Sequence, residues 1–588
     1  MTTKVDAVTS EVVTNALIAI ADEMTINLAR TAYNTIVYEV RDFATGLLDP
    51  KARLIAQAPG GLPLFLGDLD AAVRDGLELY GKEGFQPGDV IITNHTGTCG
   101  QHLNNVVVYT PVFYGGELVA FPTVRAHWID VGGRLPGGFL TDAVTSFEEG
   151  IQIRTVKLYR AGAPDQDLFR ILRHNIRNPD SVFGDLRAQI AACRLGERRL
   201  VDLLNKYGCQ TVFDVVRDSW QHAERIVRAE IQKIPDGAYE AESFLDDDGV
   251  DLGRPVPIKV KVTIKESDIT VDFTGTSPQV RGPINSGSAV GVSAAKLALK
   301  YLAAPQVPVN EGCFRPLTVV LPPRTLISAQ EPAAMSWWQT PILTVIDTIL
   351  KAVAQGAPER IPAGHYSDLA CILLAGRIPA LEREYTHVEP LAGGWGGRPT
   401  ADGANATYTI GHGDTYNIPV EVLETRFPLL IERYRLRTDS GGPGQQRGGL
   451  GLERTYRIQH GGMLNALSER SQCPPWGLWG GAPGASGTVV VKQPGRRTAK
   501  RFQKITGLTL EPGATITFFS GGGGGYGNPL DREPNRVAED VRLGYVSRSA
   551  ARERYGVVMK PGSSALDEIS TEQVRTRMRK ATRKRSSK

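Results

Sequence analysis

Ile258-Lys259-Val260-Lys261-Val262-Thr263-Ile264-Lys265, followed by Glu266-Ser267-Asp268 and then Ile269-Thr270-Val271-Asp272-Phe273, decides the fold class. Apolar and polar residues alternate on both sides of a short polar turn, which is the pattern of an antiparallel hairpin with one face buried and one in water. Upstream, from Asp165 to about Lys233, the period changes. Leu168, Ile171 and Leu172, then Leu186, Ile190, Leu195 and Leu200, recur at roughly helical spacing. A helical block beside an antiparallel hairpin predicts an α+β protein.

Working outward, Ser10 is expected to cap a long helix running to about Tyr33, with Val13, Leu17, Ile20, Met24 and Leu28 on its apolar face. Short strands are expected at Val90–Ile92, Val106–Tyr109 and Leu118–Phe121, punctuated by Pro87-Gly88-Asp89 and Gly115-Gly116. Helices return at Ser288–Leu302 and Thr344–Ala354, and the last third reads as short strands, such as Gly487–Val491 and Thr515–Phe519, between Gly-rich loops. The predicted architecture is multi-domain. It has an N-terminal α/β region (1–235), a central mixed region with the antiparallel hairpin (236–430) and a β-rich C-terminal region (431–570). A disordered basic tail (571–588) holds Arg575, Arg577, Arg579, Lys580, Arg583, Lys584, Arg585 and Lys588.

A chain of 588 residues exceeds what one core usually serves, and its 41% hydrophobic content can supply several. The 67 basic and 63 acidic side chains nearly cancel, which argues against a nucleic-acid or membrane partner for the body. Cys99, Cys193, Cys209, Cys313, Cys371 and Cys473 are scattered without CxxC spacing, as reduced thiols of a cytoplasmic protein would be. Ala16–Ala21 is too short for a signal sequence, and no apolar run is expected to be long enough for a membrane helix.

The chemistry concentrates in Gly100-Gln101-His102-Leu103-Asn104-Asn105 and Arg125-Ala126-His127-Trp128-Ile129-Asp130-Val131-Gly132-Gly133. Two histidines on loops between strands, each near a carboxylate or amide, are candidate halves of a divalent metal site. Asp42 and Asp130 are the candidate oxygen ligands and Asn105 a weaker neutral one, while His95 and Cys99 read as loop residues. Ser440–Gly444 and Gly521–Gly527 have neither P-loop nor dinucleotide spacing and read as tight turns. No GxSxG elbow nominates a serine nucleophile.

In their order along nearly the whole chain, these motifs resemble the hydantoinase B family. That family includes the B subunit of ATP-dependent N-methylhydantoinases, the C-terminal half of 5-oxoprolinase, the matching caprolactamase subunit and the metal subunit of acetone and acetophenone carboxylases. The landmarks are Glu39–Phe43, Gly88-Asp89-Val90, Gly100–His102, Arg125–His127 with Asp130–Gly133, and Glu148-Glu149-Gly150. They continue with Asn175–Arg177, Gly184–Gln189, Asn310–Gly312 with Arg315-Pro316, Gly393–Gly397, Asp439–Gly444 with Arg447–Gly449, and Gly521–Gly527. The family's metal motif falls on His102, position 105 and His127. The chain departs from it with Asn105 in place of the common Asp, and with Asn94-His95-Thr96 in place of Asn-Asp-Pro.

The resemblance implies a catalytic metal, Zn or Mn with Fe as the alternative, held by Asp42, His102 and His127, with Asn105 and Asp130 as further donors. Asp42 is favoured to replace the charge missing at position 105. It also implies an A-type partner that binds ATP and phosphorylates a cyclic amide, a hetero-oligomer such as α2β2, and a metal that activates water for attack on the imidate carbon. The alternatives are the metal subunit of an ATP-dependent ketone carboxylase and, as a minor reading, a non-catalytic scaffold.

Overall fold

The computed structural model describes residues 5–67, 69–413 and 415–586. Its N-terminal sheet contains β1 (Phe43–Leu48), β2 (Leu54–Gln57), β3 (Val90–Thr93), β4 (Asn105–Tyr109), β5 (Val112–Tyr114), β6 (Glu117–His127), β7 (Val156–Arg160) and β8 (Ala163–Pro164). The order is β2-β1-β6-β4-β3-β7-β8, with β5 hairpinned onto β6, and every pairing is antiparallel. The long helix Ala7–Thr31 and helix Pro179–Tyr207 pack together beside this sheet, burying Val13, Leu17, Ile20, Met24 and Leu28 from the first. Asp6 rather than Ser10 caps the first helix, accepting from the Thr9 N–H at 3.0 Å, because the helix begins one turn earlier than its apolar stripe. Among the described residues this helix is the one long and apolar enough to cross a membrane, contrary to the sequence expectation, and its apolar face is spent in the core.

The decisive hairpin forms as read. Val256–Lys265 and Asp268–Asp272 pair antiparallel from Lys261↔Asp272 to Lys265↔Asp268, with Glu266 at φ +55° in the turn. Gly237–Leu245 joins one side and Leu317–Val320 adds a parallel edge on the other. The expected helices appear as Gln166–Asn175, Pro179–Tyr207, Cys209–Ile231, Ser288–Ala303 and Gln339–Val353. The fold is mixed α+β with several mainly antiparallel sheets. One of them draws Cys371–Ile378 and Arg383–Pro390 from before residue 430 and Gly462–Leu467 and Lys504–Leu510 from after it, so the central and C-terminal regions share a sheet. One contiguous hydrophobic core runs from Val13 to Phe518.

The stretch Gly521–Gly525 is not a tight turn. None of Gly521–Gly525 has a positive φ. The N–H groups of Gly522, Gly523, Gly524 and Gly525 donate to Ala485, Gly449, Gly364 and Ala482 carbonyls at 2.8–2.9 Å, so successive residues bond to different neighbouring segments. The carbonyls of Gly521, Gly523, Gly524 and Gly525 accept from Gly394, Gly442, Gly397 and Leu478. Extended chains bonded outward on several sides form a bundle whose interior is backbone, and glycine is needed there for close approach, as at the axis of collagen. A Cβ on Gly523 would stand 1.9 Å from the Trp395 carbonyl oxygen, and one on Gly394 2.0 Å from that of Gly449.

Residues Glu568–Ser586 form a helix rather than a disordered tail. The segment is free of Gly and Pro and rich in helix formers. Two of its guanidinium groups are used locally: Arg575 donates to the Tyr555 and Arg532 carbonyls, and Arg579 to the Leu530 carbonyl and Asp531. Lys588 lies outside the described residues.

A fully buried ion pair braces the C-terminal sheets. Glu389 accepts from Arg454 at 2.8 Å, the Tyr456 hydroxyl at 2.9 Å and the Ile418 N–H at 2.9 Å. Burial alone would push this carboxyl up; Arg454, His387 and Tyr456 bring it down to about 2. Arg454→Met leaves a buried carboxylate short of its cation and is expected to cost about 3–5 kcal/mol, read as a lower denaturant midpoint. Gly523→Ala is expected to cost more than about 3 kcal/mol because backbone must move. The control Gly115→Ala, at φ +61° with open space around it, costs only about 1–2 kcal/mol. Equal unfolding midpoints for the two glycine variants would contradict the bundle.

Candidate metal centre

Sheet register assembles the site. His127 is the last residue of β6, not a loop residue as expected, and stands opposite Asn105, the first residue of β4. On the other flank β1 begins at Phe43 opposite Ala126, and the His127 N–H donates to the Asp42 carbonyl at 3.0 Å. His102 comes from the turn before β4. The short helix Thr96–Cys99 ends at Gly100 with φ +72°, and Gly100 packs directly on Gly287. A Cβ on Gly287 would lie 2.5 Å from the Gly100 Cα, so both must be glycine for the turn to seat.

The two imidazoles lie with ring centroids 4.9 Å apart. His102 Nδ1 is 3.2 Å from the Ser336 carbonyl, which only accepts, so Nδ1 carries the proton and Nε2 bears a lone pair. His127 Nδ1 is 3.3 Å from Asn105 Oδ1 and 4.0 Å from Asp42 Oδ2. The Asn105 amide donates its Nδ2–H to Gln101 Oε1 at 2.6 Å, which turns its oxygen toward His127. Nε2 of both histidines and Oδ1 of Asp42 are buried without a hydrogen-bond partner. Buried polar atoms are normally satisfied, so two orphaned Nε2 atoms on rings 4.9 Å apart call for a group that would satisfy them.

Burial sets the charge state. It pushes His102 down to about 4 and His127 well below the usual histidine range, with each ring disfavouring charge on the other in the case of His127. Both are therefore neutral at physiological pH, the form that ligates metal. Burial likewise pushes the Asp42 carboxyl up to about 7, a rise tempered by the buried Arg125 two residues before His127. Phe139 lies 5.3 Å from His102 and 5.6 Å from His127, Trp338 lies 6.0 Å from His102, and Trp337 packs on Phe139 at 5.0 Å. The site is walled by aromatic rings and held away from water.

Among the described residues no three His, Cys, Asp or Glu side chains gather closely enough to hold a metal ion, so the expected Asp42–His102–His127 set is not preassembled. The residues brought together are two histidines, the Asn105 amide and, at its edge, Asp42. Two neutral imidazoles with oxygen donors fit a borderline divalent cation such as Zn or Mn. Asp130 is corrected: its carboxylate accepts from the Gly132, Gly137 and Arg177 N–H groups and pairs with the Arg177 guanidinium at 3.0 Å, so it fastens the following loop. His95 pairs with Glu331 at 2.7 Å and Cys99 is buried in a side cluster of the sheet.

The sequence matches the Hydantoinase B/oxoprolinase family over residues 6–529. The chain belongs to that family. A caprolactamase subunit beta of Pseudomonas jessenii is 35% identical over 96% of this chain and 98% of the relative. The crystal structure of ATP-dependent caprolactamase from Pseudomonas jessenii superposes with a TM-score of 0.91 at 33% identity, covering 98% of this chain and 100% of that one. Acetone carboxylase in a nucleotide-free structure shares the fold, with a TM-score of 0.90 at 20% identity over 98% of this chain and 83% of the other.

Sequence reasoning did not assign a role to Gln101, Phe139, Glu149, Ser336, Trp337 or Trp338. Gln101 and Glu149 sit inside family landmarks, but nothing local tells what they touch. Ser336 reaches His102 across 234 residues of sequence, a contact with no local signature.

Position 105 gives this family member a direct test. Asn105→Asp places a second carboxylate beside His127 and is expected to tighten Co²⁺ binding by roughly ten-fold or more, ~1.4 kcal/mol. Asp42→Asn, which removes the carboxylate nearest His127, is expected to weaken it more than Asn105→Ala does. Calorimetric titration of the three variants reads the ranking, and the opposite order would make the amide the stronger donor.

Proposed function

We propose that the chain is the metal-dependent hydrolytic subunit of an ATP-dependent cyclic amide hydrolase, acting on an amide whose oxygen an A-type partner has phosphorylated. The observation that carries this reading is the pair of buried neutral histidines with orphaned Nε2 atoms, in a family whose relatives include an ATP-dependent caprolactamase. His102 and His127 would hold one divalent ion, Zn or Mn with Fe as the alternative, with Asp42 and Asn105 as oxygen donors. When bound, the ion supplies Lewis acidity and lowers the pKa of water.

The chain's own residues do the rest. The Ser336 carbonyl orients the His102 imidazole, and Phe139, Trp337 and Trp338 exclude bulk water. The buried indole N–H groups of Trp337 and Trp338 have no partner, and a phosphoryl oxygen would satisfy them. In the reaction, water adds to the imidate carbon, the ring C–N bond breaks with nitrogen leaving as the amine, and the resulting acyl phosphate takes a second water to give carboxylate and phosphate. Phosphorylation makes the carbon electrophilic, which an unactivated lactam at neutral pH is not. The chain carries no P-loop or dinucleotide motif, which supports placing ATP on the partner; the pair would form a cytoplasmic hetero-oligomer such as α2β2.

Mixed with an A-type subunit, ATP and a panel of 5-oxoproline, hydantoins and caprolactam, the protein is expected to release amino acid and phosphate together. His102→Ala and His127→Ala are expected to lose bound metal by elemental analysis and to lose more activity than the ~10–100-fold typical of outer-shell changes. Ring opening by the chain alone without ATP would refute the division of labour. Incorporation of labelled bicarbonate would assign the protein to the ketone carboxylases instead.

A further inference from the structure

Glu149 lies at the end of a chain of hydrogen bonds that reaches His102. Its Oε1 accepts from the Ser336 N–H at 2.6 Å, the Ser336 hydroxyl at 2.8 Å and the Met335 N–H at 2.8 Å. The next link is the Ser336 carbonyl, 3.2 Å from His102 Nδ1. Glu149 is fully enclosed, at 2% exposure, and among the described residues no cation pairs with it; Oε1 spends its capacity on this backbone segment, while Oε2 is buried without a hydrogen-bond partner. The loop that carries it is itself braced. Thr145 and Glu148 cap the turn before it reciprocally, and the Ser146 N–H donates to the Pro332 carbonyl at 2.9 Å.

Glu149 Oε1 takes two consecutive peptide N–H groups, those of Met335 and Ser336. We propose that Glu149 is a positioning residue: by clamping Met335–Ser336 it holds the Ser336 carbonyl as the acceptor for His102 Nδ1–H, selecting the tautomer whose Nε2 lone pair faces the metal site. Outer-shell groups that orient a ligating histidine usually bond to it directly; here the carboxylate acts one peptide removed. The same clamp fixes Trp337 and Trp338, which follow immediately and wall the histidines. The metal consequence rests on the function proposed above; the tautomer consequence does not.

The test uses ¹⁵N-histidine-labelled full-length protein. In the metal-free wild type, His102 is expected to show the Nδ1–H pattern. Glu149→Met, similar in volume and without an acceptor, is expected to shift His102 toward Nε2–H and to lower Co²⁺ affinity by about 10–100-fold. Glu149→Gln, which keeps an oxygen in place, is expected to restore the wild-type tautomer. Should Glu149→Met fail to fold, Glu149→Asp, with its oxygen drawn back by one methylene, carries the test in the same direction. An unchanged His102 tautomer in the folded Met or Asp variant overturns the proposal. A tautomer shift in a protein whose wild type binds no Co²⁺ supports the positioning role and overturns the metal reading alone.

Discussion

The register of three neighbouring strands is the constraint on which the site depends. His127 ends β6 with Asn105 opposite it on β4 and its own N–H bonded to the Asp42 carbonyl at the start of β1. Because strand side chains alternate between faces, a slip of one residue in either ladder would turn His127 away from its partners. β6 is the longest strand of this sheet and pairs with β1, β4 and β5, so its register is enforced along most of its length. No local loop makes this site, and an unfolded chain would not hold it. Metal binding of the kind proposed is therefore coupled to folding of the N-terminal sheet.

Burial then determines the chemistry of what the register has gathered. Enclosed by Phe139, Trp337 and Trp338, both histidines are neutral, and the Asp42 carboxyl titrates near 7 rather than near 4. Leaving buried lone pairs unsatisfied costs about 1–3 kcal/mol for each group. That cost is the sign of a site kept for a ligand rather than for stability. Asn105 brings no charge to the histidines, which leaves Asp42, 4.0 Å from His127 Nδ1, as the carboxylate that meets them.

The rest of the molecule holds the wall in place. Helix Gln339–Val353 begins right after Trp337 and Trp338, and further along it Asp347 accepts from the Trp476 indole at 2.7 Å and from Arg470 at 3.0 Å. The carbonyl of Trp476 in turn accepts from Gly364, whose own carbonyl takes the N–H of Gly524. The aromatic wall is thus tied to the glycine bundle. A bundle of backbone packed on backbone has no side-chain rotamers to relax, which makes it a stiff anchor at the price of a run of irreplaceable glycines.

Periodicity alone was enough for the α+β class, the hairpin at Val256–Asp272 and the main helices, because those elements are amphipathic and their period reports the side they bury. Residue type and family pattern singled out His102, His127, Asn105 and Asp42 as a set. Local sequence could not show that the glycine runs form a bundle, since the need for glycine there comes from other segments pressing on the backbone rather than from φ. Nor could it show that Asp130 is taken by Arg177, or that residues past Thr571 make a helix anchored through Arg575 and Arg579. Which histidine nitrogen is free was decided by the Ser336 carbonyl, held in turn by Glu149, and those contacts join positions about 190–230 apart in the chain. Composition and pattern determine what each segment buries; only the assembled fold decides which buried polar group meets which, because that is settled by three-dimensional neighbours that leave no periodic trace in the sequence.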